Sequence, residues 1–77
     1  MIKQPNKELD CQGLSCPLPI INTTNAIKEL ASCEILKLVC TDPGSVNDLA
    51  SWANSTGNIL LSSIEQDGIY IYLIQKK

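Results

Sequence analysis

The stretch DCQGLSCPLP, residues 10–19, marks the point where the chain passes from a predicted strand into a predicted helix. Just before it, residues 7–12 alternate between polar and apolar side chains, with Leu9 and Cys11 on one face, as a short strand does. Gly13 then supplies the backbone freedom that a tight turn requires. The first half of the stretch therefore predicts a short strand followed by a turn.

The second half of the stretch predicts the start of a helix over residues 17–31. Pro17 lies at the first helical position, where a missing N–H group costs nothing. Pro19 is still within the first turn and is tolerated for the same reason. An apolar stripe continues at spacings of four, three and four residues, with Leu30 beside it: Ile20, Thr24, Ile27 and Ala31.

A second strand and a second helix follow. Residues 34–41 read as a strand with one inward face: Leu36, Leu38 and Cys40. The helix is predicted over residues 46–55 from a second apolar stripe: Val46, Leu49, Ala50 and Ala53. Ser45 and Asp48 resemble a capping box at its start, and Gly57 is a typical residue just beyond a helix end.

A β-hairpin closes the chain. Residues 58–66 and 69–75 are two predicted strands joined by Asp67-Gly68, a dipeptide that favours a two-residue type I′ turn. This turn implies a strand register with two cross-strand pairs: Ile64 with Ile71, and Ser62 with Leu73. The sequence leaves open which face of the hairpin is buried, because the face opposite these pairs is also apolar: Leu61, Tyr70, Tyr72 and Ile74.

The resulting order βαβαββ predicts an α+β fold. A strand–helix–strand unit crosses over right-handed and gives a parallel strand pair, to which the hairpin adds antiparallel strands. The simplest closure is a two-layer α/β sandwich, a four-stranded mixed sheet with both helices on one face. At 77 residues the chain is expected to be one domain, 1–77, with a flexible leader over 1–6.

The charge and hydropathy of the chain exclude several classes of function. The net charge is −2, and the only cations are six scattered lysines, so direct nucleic-acid binding is not expected. The N-terminus has no apolar stretch typical of a signal peptide, and no segment is long enough for membrane insertion. We therefore expect a cytoplasmic protein with reduced thiols.

Four cysteines, Cys11, Cys16, Cys33 and Cys40, are separated by four, sixteen and six residues, and the chain has no histidine. Structural zinc usually requires closely spaced ligand pairs, often with histidine, so no metal is expected. A thioredoxin-like Cys-x-x-Cys pair is also absent. Without a histidine base, thiol chemistry would depend on backbone electrostatics to form the thiolate.

Cys16 is the candidate nucleophile. It precedes Pro17 and therefore lies at or beside the helix N-cap, where unpaired N–H groups and the helix dipole favour negative charge. We expect this position to lower the pKa of the thiol, with Leu18 as the main amide available to the sulfur because neither proline can donate. The alternative is that Cys16 is a small apolar residue at an ordinary helix start.

The stretch Asp10–Pro19 resembles the signature of the TusA/SirA/YedF-like family of small sulfur-carrier (sulfurtransferase) proteins: Asp, two residues, Gly, Leu, one residue, then Cys-Pro-x-Pro. The resemblance extends through residues 41–45 and the Asp67-Gly68 hairpin, over about residues 8–76. It singles out Cys16 as the catalytic residue and five supporting residues: Asp10, Gly13, Pro17, Leu18 and Pro19.

The resemblance implies a two-layer βαβαββ fold and a persulfide on Cys16. A cysteine desulfurase or rhodanese-like donor protein would load the sulfur, and an acceptor protein would take it on, for example toward tRNA thiolation. We expect a monomer that works without cofactor or metal. One departure is Gln12, which stands where many relatives carry Arg, so that one cation near the thiolate is missing.

Two rival functions stay open. A thiol–disulfide switch would use Cys11 as an accessory thiol for Cys16, whereas the alternative for Cys11 is simple packing beside Leu9. A non-catalytic regulatory or selenium-related adaptor would retain its function without the Cys16 thiol. Asp10 and Asp42 each have two interpretations: they cap a turn or helix, or they recognise a partner. Trp52 either covers the edge of the core or marks a partner surface.

Two cysteines are expected to stay outside the chemistry. Cys40 shares the inward face of the second strand and should belong to the core. Cys33 follows the first helix whereas Cys16 precedes it, so we expect Cys33 to be a surface-turn thiol too distant to cooperate.

Overall fold

The chain follows the predicted order βαβαββ. The computed structural model describes residues 4–77, so the predicted leader, 1–6, lies partly outside the described residues. The elements are β1 (Lys7–Cys11), α1 (Leu18–Ile27), β2 (Ile35–Cys40), α2 (Ser45–Thr56), β3 (Ile59–Gln66) and β4 (Ile69–Gln75). Neither helix of residues 4–77 is long and apolar enough to cross a membrane.

The four strands form one mixed sheet in the order β1-β2-β4-β3. β1 and β2 are parallel, as the strand–helix–strand unit predicts, and β4 runs antiparallel to both β2 and β3. Residues from α1, α2 and the sheet share one buried cluster, so both helices cover the same face. The predicted two-layer α+β sandwich is confirmed.

The core is built from aliphatic residues around one tyrosine and one tryptophan. Tyr72 is fully buried, and its hydroxyl oxygen lies 2.6 Å from the hydroxyl oxygen of Ser45, which satisfies both polar groups inside the protein. Trp52 is 8% exposed, and its indole N–H donates to the Thr24 hydroxyl over 3.0 Å. Trp52 therefore belongs to the core, as one of its two interpretations proposed.

The predicted end of the first helix is wrong, and its predicted buried face is right only in part. α1 ends at Ile27, after which the amides of Glu29 and Leu30 bond three residues back and tighten the last turn. Ala31, placed in the predicted stripe, is exposed, and its amide donates to Glu34. Ile27 and Leu30 are buried as predicted, and Ile20 and Thr24 are half-buried. Three positions outside the predicted stripe are also buried: Pro19, Thr23 and Ala26.

The capping box predicted for the second helix is also wrong. Gly44 is the N-cap residue and no side chain caps the helix, because Ser45 is buried against Tyr72. Asp48 lies in the first turn, where the helix dipole favours a carboxylate. The predicted end is confirmed, since Gly57 has φ +80° and its amide donates to the carbonyl of Ala53 over 2.9 Å.

The hairpin register is confirmed in both predicted pairs, Ile64 with Ile71 and Ser62 with Leu73. Tyr72 and Ile74 are fully buried, so the rival apolar face covers the core. Leu61 does not follow this face and is 46% exposed, because a register shift between Leu60 and Ser62 turns it outward.

Two leucines on strands test this division between core and surface. Leu38→Ala should lower the free energy of unfolding by about 2–5 kcal/mol, because the truncated side chain leaves a cavity in a fully buried position. Leu61→Ala should lower it by less than about 1 kcal/mol, since this side chain is already half exposed. Urea titration followed by tryptophan fluorescence measures both, and equal losses would contradict the assigned core.

Candidate functional site

The candidate site lies where the two parallel strands end side by side. Cys11 closes β1 directly opposite Cys40, which closes β2. The chain then runs through residues 12–17 to the N-terminus of α1, and through residues 41–44 to the N-terminus of α2. Parallel strands have their carboxyl ends at the same sheet edge, so the two loops meet there.

Two local bonds shape the loop that leads to Cys16. The Gln12 amide donates to the Asp10 carboxylate over 2.9 Å, which closes a turn of the kind that aspartate favours. Gly13 has φ +80°, a conformation that side chains disfavour, and its amide donates to the Thr41 hydroxyl over 2.8 Å. The turn-capping interpretation of Asp10 and the turn predicted at Gly13 are confirmed.

Asp42 ties the two loops together. One carboxylate oxygen accepts the Cys16 amide over 3.2 Å, and the other accepts the Gly44 amide over 3.2 Å. The second bond is the turn role expected for Asp42. The first bond spans 26 residues and positions the Cys16 backbone, a contact that the sequence did not indicate.

Cys16 is exposed, and its peptide bond to Pro17 is cis. Pro17 is the N-cap residue of α1, while Pro19 is buried beneath the first turn. The Leu18 amide was expected to face the sulfur, but it donates to the carbonyl of Ser15 over 2.9 Å. That expectation is wrong, because the turn before the helix already uses the amide.

The expected lowering of the Cys16 pKa is wrong as well. The nearby Asp48 carboxylate raises the pKa of Cys16, because an acceptor with negative charge favours the protonated thiol. Partial desolvation and the negative charges of Asp48 and Asp42 raise this pKa further. The carboxylates of Asp48 and Asp42 therefore act against the lowering of the pKa that a helix N-terminus favours.

Sequence reasoning missed Asp48 because it assigned this residue to a capping box. The signal that could have found it is topological. Asp48 lies in the first turn of the helix that follows β2, and that turn shares a sheet edge with Cys16.

The other described thiols are buried or distant from this edge. Cys11 and Cys40 are both 0% exposed, and burial with the neighbouring Cys11 raises the pKa of Cys40 from 9.0 to about 11. The packed interpretation of Cys11 is confirmed, and a disulfide to Cys16 would require Cys11 to leave the core. Cys33 is exposed in the turn after α1, where its amide bonds to the carbonyl of Lys76.

The surface around Cys16 combines acidic and apolar side chains. Three large apolar residues near the two helix N-termini are 42–48% exposed: Leu18, Ile21 and Val46. Five acidic residues belong to the loops, helix turn and hairpin at this end of the sheet: Asp10, Asp42, Asp48, Glu65 and Asp67. Four lysines mark the opposite end: Lys7, Lys28, Lys76 and Lys77. Glu29 and Glu34 also lie at that end, which therefore carries charges of both signs.

Possible metal ligands were considered next to the Cys16 thiol and in the rest of residues 4–77. Among residues 4–77, no three His, Cys, Asp or Glu side chains cluster in a way that could hold a metal ion. The site consists of one exposed thiol, two carboxylates and an apolar rim.

Comparison with known proteins agrees with the motif and the fold. A family model described as "Sulfurtransferase TusA" matches residues 7–76, and the chain belongs to this family. The sulfur carrier protein TusA of Allochromatium vinosum is 42% identical over 71 residues, 92% of this chain and 93% of that protein. The putative sulfur carrier protein YrkI of Bacillus subtilis is 44% identical over 71 residues, covering 92% of this chain and 95% of that protein.

A solved structure supports the fold independently. The SirA-like protein of Desulfitobacterium hafniense superposes with a TM-score of 0.80, covering 90% of this chain and 95% of that chain. The two sequences are 24% identical, so this likeness concerns the architecture. The resemblance inferred from residues 10–19 is thereby confirmed at the level of family and fold.

The buried Cys40 thiol predicts an alkaline loss of stability. Its folded-state pKa lies above its unfolded value, so the neutral thiol stabilises the protein fully below pH 9. This stabilisation is lost as the pH rises from 9.0 to about 11. The free energy of unfolding, measured by urea titration between pH 8 and pH 11, should therefore fall less steeply in Cys40→Ala than in the wild type.

Cys33→Ala is the matched control, since this thiol is exposed and its variant should keep the wild-type slope. Tyr72 contributes to the pH dependence of all three proteins, because its burial also raises its pKa. Identical slopes in the wild type and Cys40→Ala would contradict the assigned burial of Cys40.

Proposed function

We propose that this protein carries sulfane sulfur as a persulfide on Cys16 Sγ, between a donor protein and an acceptor protein. One observation supports the choice of this atom above all. Within residues 4–77, Cys16 is the one exposed thiol at the edge where both helices begin, and it stands in the family's Cys-Pro-x-Pro motif.

The chemistry is a sulfur exchange in two steps. The Cys16 thiolate attacks the outer sulfur of a donor persulfide, R–S–SH, and forms a new S–S bond while the donor S–S bond breaks. The donor leaves as a thiolate and takes up a proton, replacing the one that Cys16 lost. In the second step an acceptor thiolate attacks the outer sulfur of the Cys16 persulfide, and Cys16 leaves. No net oxidation occurs, so no cofactor is required.

The neighbouring residues have separate tasks in this proposal. Asp10 and Gly13 hold the turn that carries the thiol to the surface. Pro17 and Pro19 define where α1 begins and hold Cys16 before its first turn. Leu18 presents an exposed apolar side chain next to the thiol, where a partner protein can cover it.

The partners we propose are a cysteine desulfurase or rhodanese-like donor and a protein acceptor. Apolar side chains near the two helix N-termini suit protein docking, because burying them removes apolar surface from water. The acidic surroundings of Cys16 do not suit phosphate groups, so we expect no direct contact with nucleic acid. We assign the exchange to the cytoplasm, where thiols stay reduced.

Intact-mass spectrometry tests the proposed carrier function. Wild-type protein incubated with a cysteine desulfurase and cysteine should gain about 32 Da, one sulfur atom, because Cys16 becomes a persulfide. Cys16→Ser should gain nothing, while Cys33→Ser, which removes the other exposed thiol, should load like the wild type. A rhodanese with thiosulfate serves as the alternative donor.

Two outcomes would contradict the proposal. Equal loading of the wild type and Cys16→Ser would mean that another cysteine carries the sulfur. A folded wild-type protein that gains no mass with either donor would favour a non-catalytic adaptor.

A further inference from the structure

The sheet has one face that neither helix covers. Both helices pack on the side that contains Tyr72 and Ile74, so alternate residues of each strand point away from them. The strand register aligns these residues in two rows across the sheet. One row is Asp10, Val39, Ile71 and Ile64, and the other is Glu8, Lys37, Leu73 and Ser62. We call this surface the open face; its acidic residues lie on β1, and most of its aliphatic residues lie on β4 and β3.

The half of the open face formed by β3 and β4 presents apolar side chains to water. Within residues 4–77, three of the six exposed large apolar side chains belong to β3: Ile59 is 49% exposed, Leu61 46% and Ile64 56%. The half-buried Ile71 and Leu73 continue the patch onto β4. A contiguous apolar patch on a soluble protein typically marks an interaction surface.

A groove with a volume of about 350 Å³ opens on the same face. Its apolar lining comes from Ile64, Ile71 and Leu73, and its charged lining comes from Glu8 and Lys37. The Lys37 Nζ and Glu8 Oε1 atoms are 3.4 Å apart, so these two charges neutralise each other within the chain. The groove therefore suits an apolar occupant and requires no charged one.

We propose that the open face docks against the open face of a second copy of this chain, and that the protein forms a symmetric dimer in place of the monomer expected from its sequence. The helices cover the opposite side of the sheet, and Cys16 lies where they begin. Docking through the open face therefore leaves both Cys16 thiols exposed. The inference does not depend on the carrier function.

The size of the open face suits a weak but specific dimer. The described residues extend over 28 × 26 × 18 Å, and the shortest dimension fits the two stacked layers. The open face is then one of the two broad sides, with a footprint on the order of 600 Å² per copy, whereas specific interfaces bury roughly 500–800 Å² per partner. The apolar half supplies the interface centre and β1 supplies a polar rim.

The charges select the symmetry of the dimer. A two-fold axis parallel to β4 stacks β4 on β4 and β3 on β2, so that Ile64 meets Val39 of the second copy. It also leaves β1, with Glu8 and Asp10, outside the overlap. An axis perpendicular to the strands would stack β1 on β1 and bring these carboxylates face to face, which like-charge repulsion disfavours. We therefore assign the axis parallel to the strands.

The charges also argue against a lipid surface as the occupant. The rim of the open face carries the carboxylates of Glu8 and Asp10, and Lys37 is already paired. Membrane-surface proteins instead present basic residues to anionic headgroups. The open face has no such basic rim.

The first experiment is sedimentation equilibrium of the wild-type chain under reducing conditions, which prevents disulfides between exposed thiols. The apparent mass should rise from 8.4 kDa toward twice that value as the concentration increases. We expect a dissociation constant between about 10 and 300 µM, because the contact area lies at the low end for specific interfaces. A mass that stays at 8.4 kDa up to about 1 mM would overturn the proposal.

Ile64→Lys tests which surface associates. It should raise the dissociation constant at least about tenfold, because the symmetric contact would then contain two lysines, one from each copy. Ile21→Lys is the matched control, since Ile21 is 48% exposed but lies on α1, away from the open face. Its dissociation constant should stay within about twofold of the wild type. Thermal melts establish that both variants are folded.

Cross-linking tests the assigned axis. Ile71→Cys, in a background with Cys16→Ser and Cys33→Ser, places a thiol on β4 beside the axis. A short bis-maleimide should join two copies of this variant, because stacked sheets lie about 10 Å apart. Ile21→Cys in the same background should give no cross-linked dimer.

Three outcomes besides a permanent monomer would overturn the proposal. Equal dissociation constants for Ile64→Lys and Ile21→Lys would assign the association to another surface. A dimer that the bis-maleimide joins through Ile21→Cys but not through Ile71→Cys would be held together by the helices. A monomer that binds phosphatidylcholine vesicles would assign the open face to lipid. Sulfur loading of Cys16 is measured separately, so either proposal can fail while the other stands.

Discussion

The site depends on the parallel pairing of β1 with β2. This pairing brings the ends of both strands to one edge, with Cys11 opposite Cys40, and sends the following loops to the starts of the two helices. Without it the Cys16 amide could not reach Asp42, which lies 26 residues further along the chain. The same pairing sets the first turn of α2, and with it Asp48, beside the thiol.

The fold also separates three described thiols by environment. Cys11 and Cys40 point into the core, where burial favours the neutral form and leaves the sulfur inert. Cys16 follows the strand by five residues, far enough for the turn at Gly13 to bring it to the surface. One short segment therefore contains both a buried thiol and an exposed one, and the strand end is the boundary between them.

Much of the fold could be predicted from the sequence because local signals agreed with one another. The Asp67-Gly68 turn determined the hairpin register, and Gly57 determined the end of α2. Errors arose where tertiary packing decided among comparable residues. Thr23 is buried in place of the expected Thr24, and a strand irregularity turns Leu61 outward.

The candidate site was only half predictable for a similar reason. The motif around Cys16 could be identified because its residues are contiguous, as could the turn roles of Asp10 and Gly13. The direction of the Cys16 pKa shift could not be predicted, because it depends on Asp48. This residue is 32 positions away in the sequence, and only the sheet topology brings it near Cys16. A helix N-terminus alone predicted an activated thiol, yet the adjacent carboxylates reverse the direction of the pKa shift.

The central claim is that sulfur travels on Cys16, and site-resolved mass spectrometry tests it most directly. Protein loaded from ³⁵S-cysteine and a desulfurase, capped by alkylation and cleaved after lysine, yields residues 8–28 as one peptide that contains both Cys11 and Cys16. Fragment ions between these two residues should place the additional sulfur on Cys16. Sulfur on Cys11, or on the peptides that contain Cys33 or Cys40, would contradict the account.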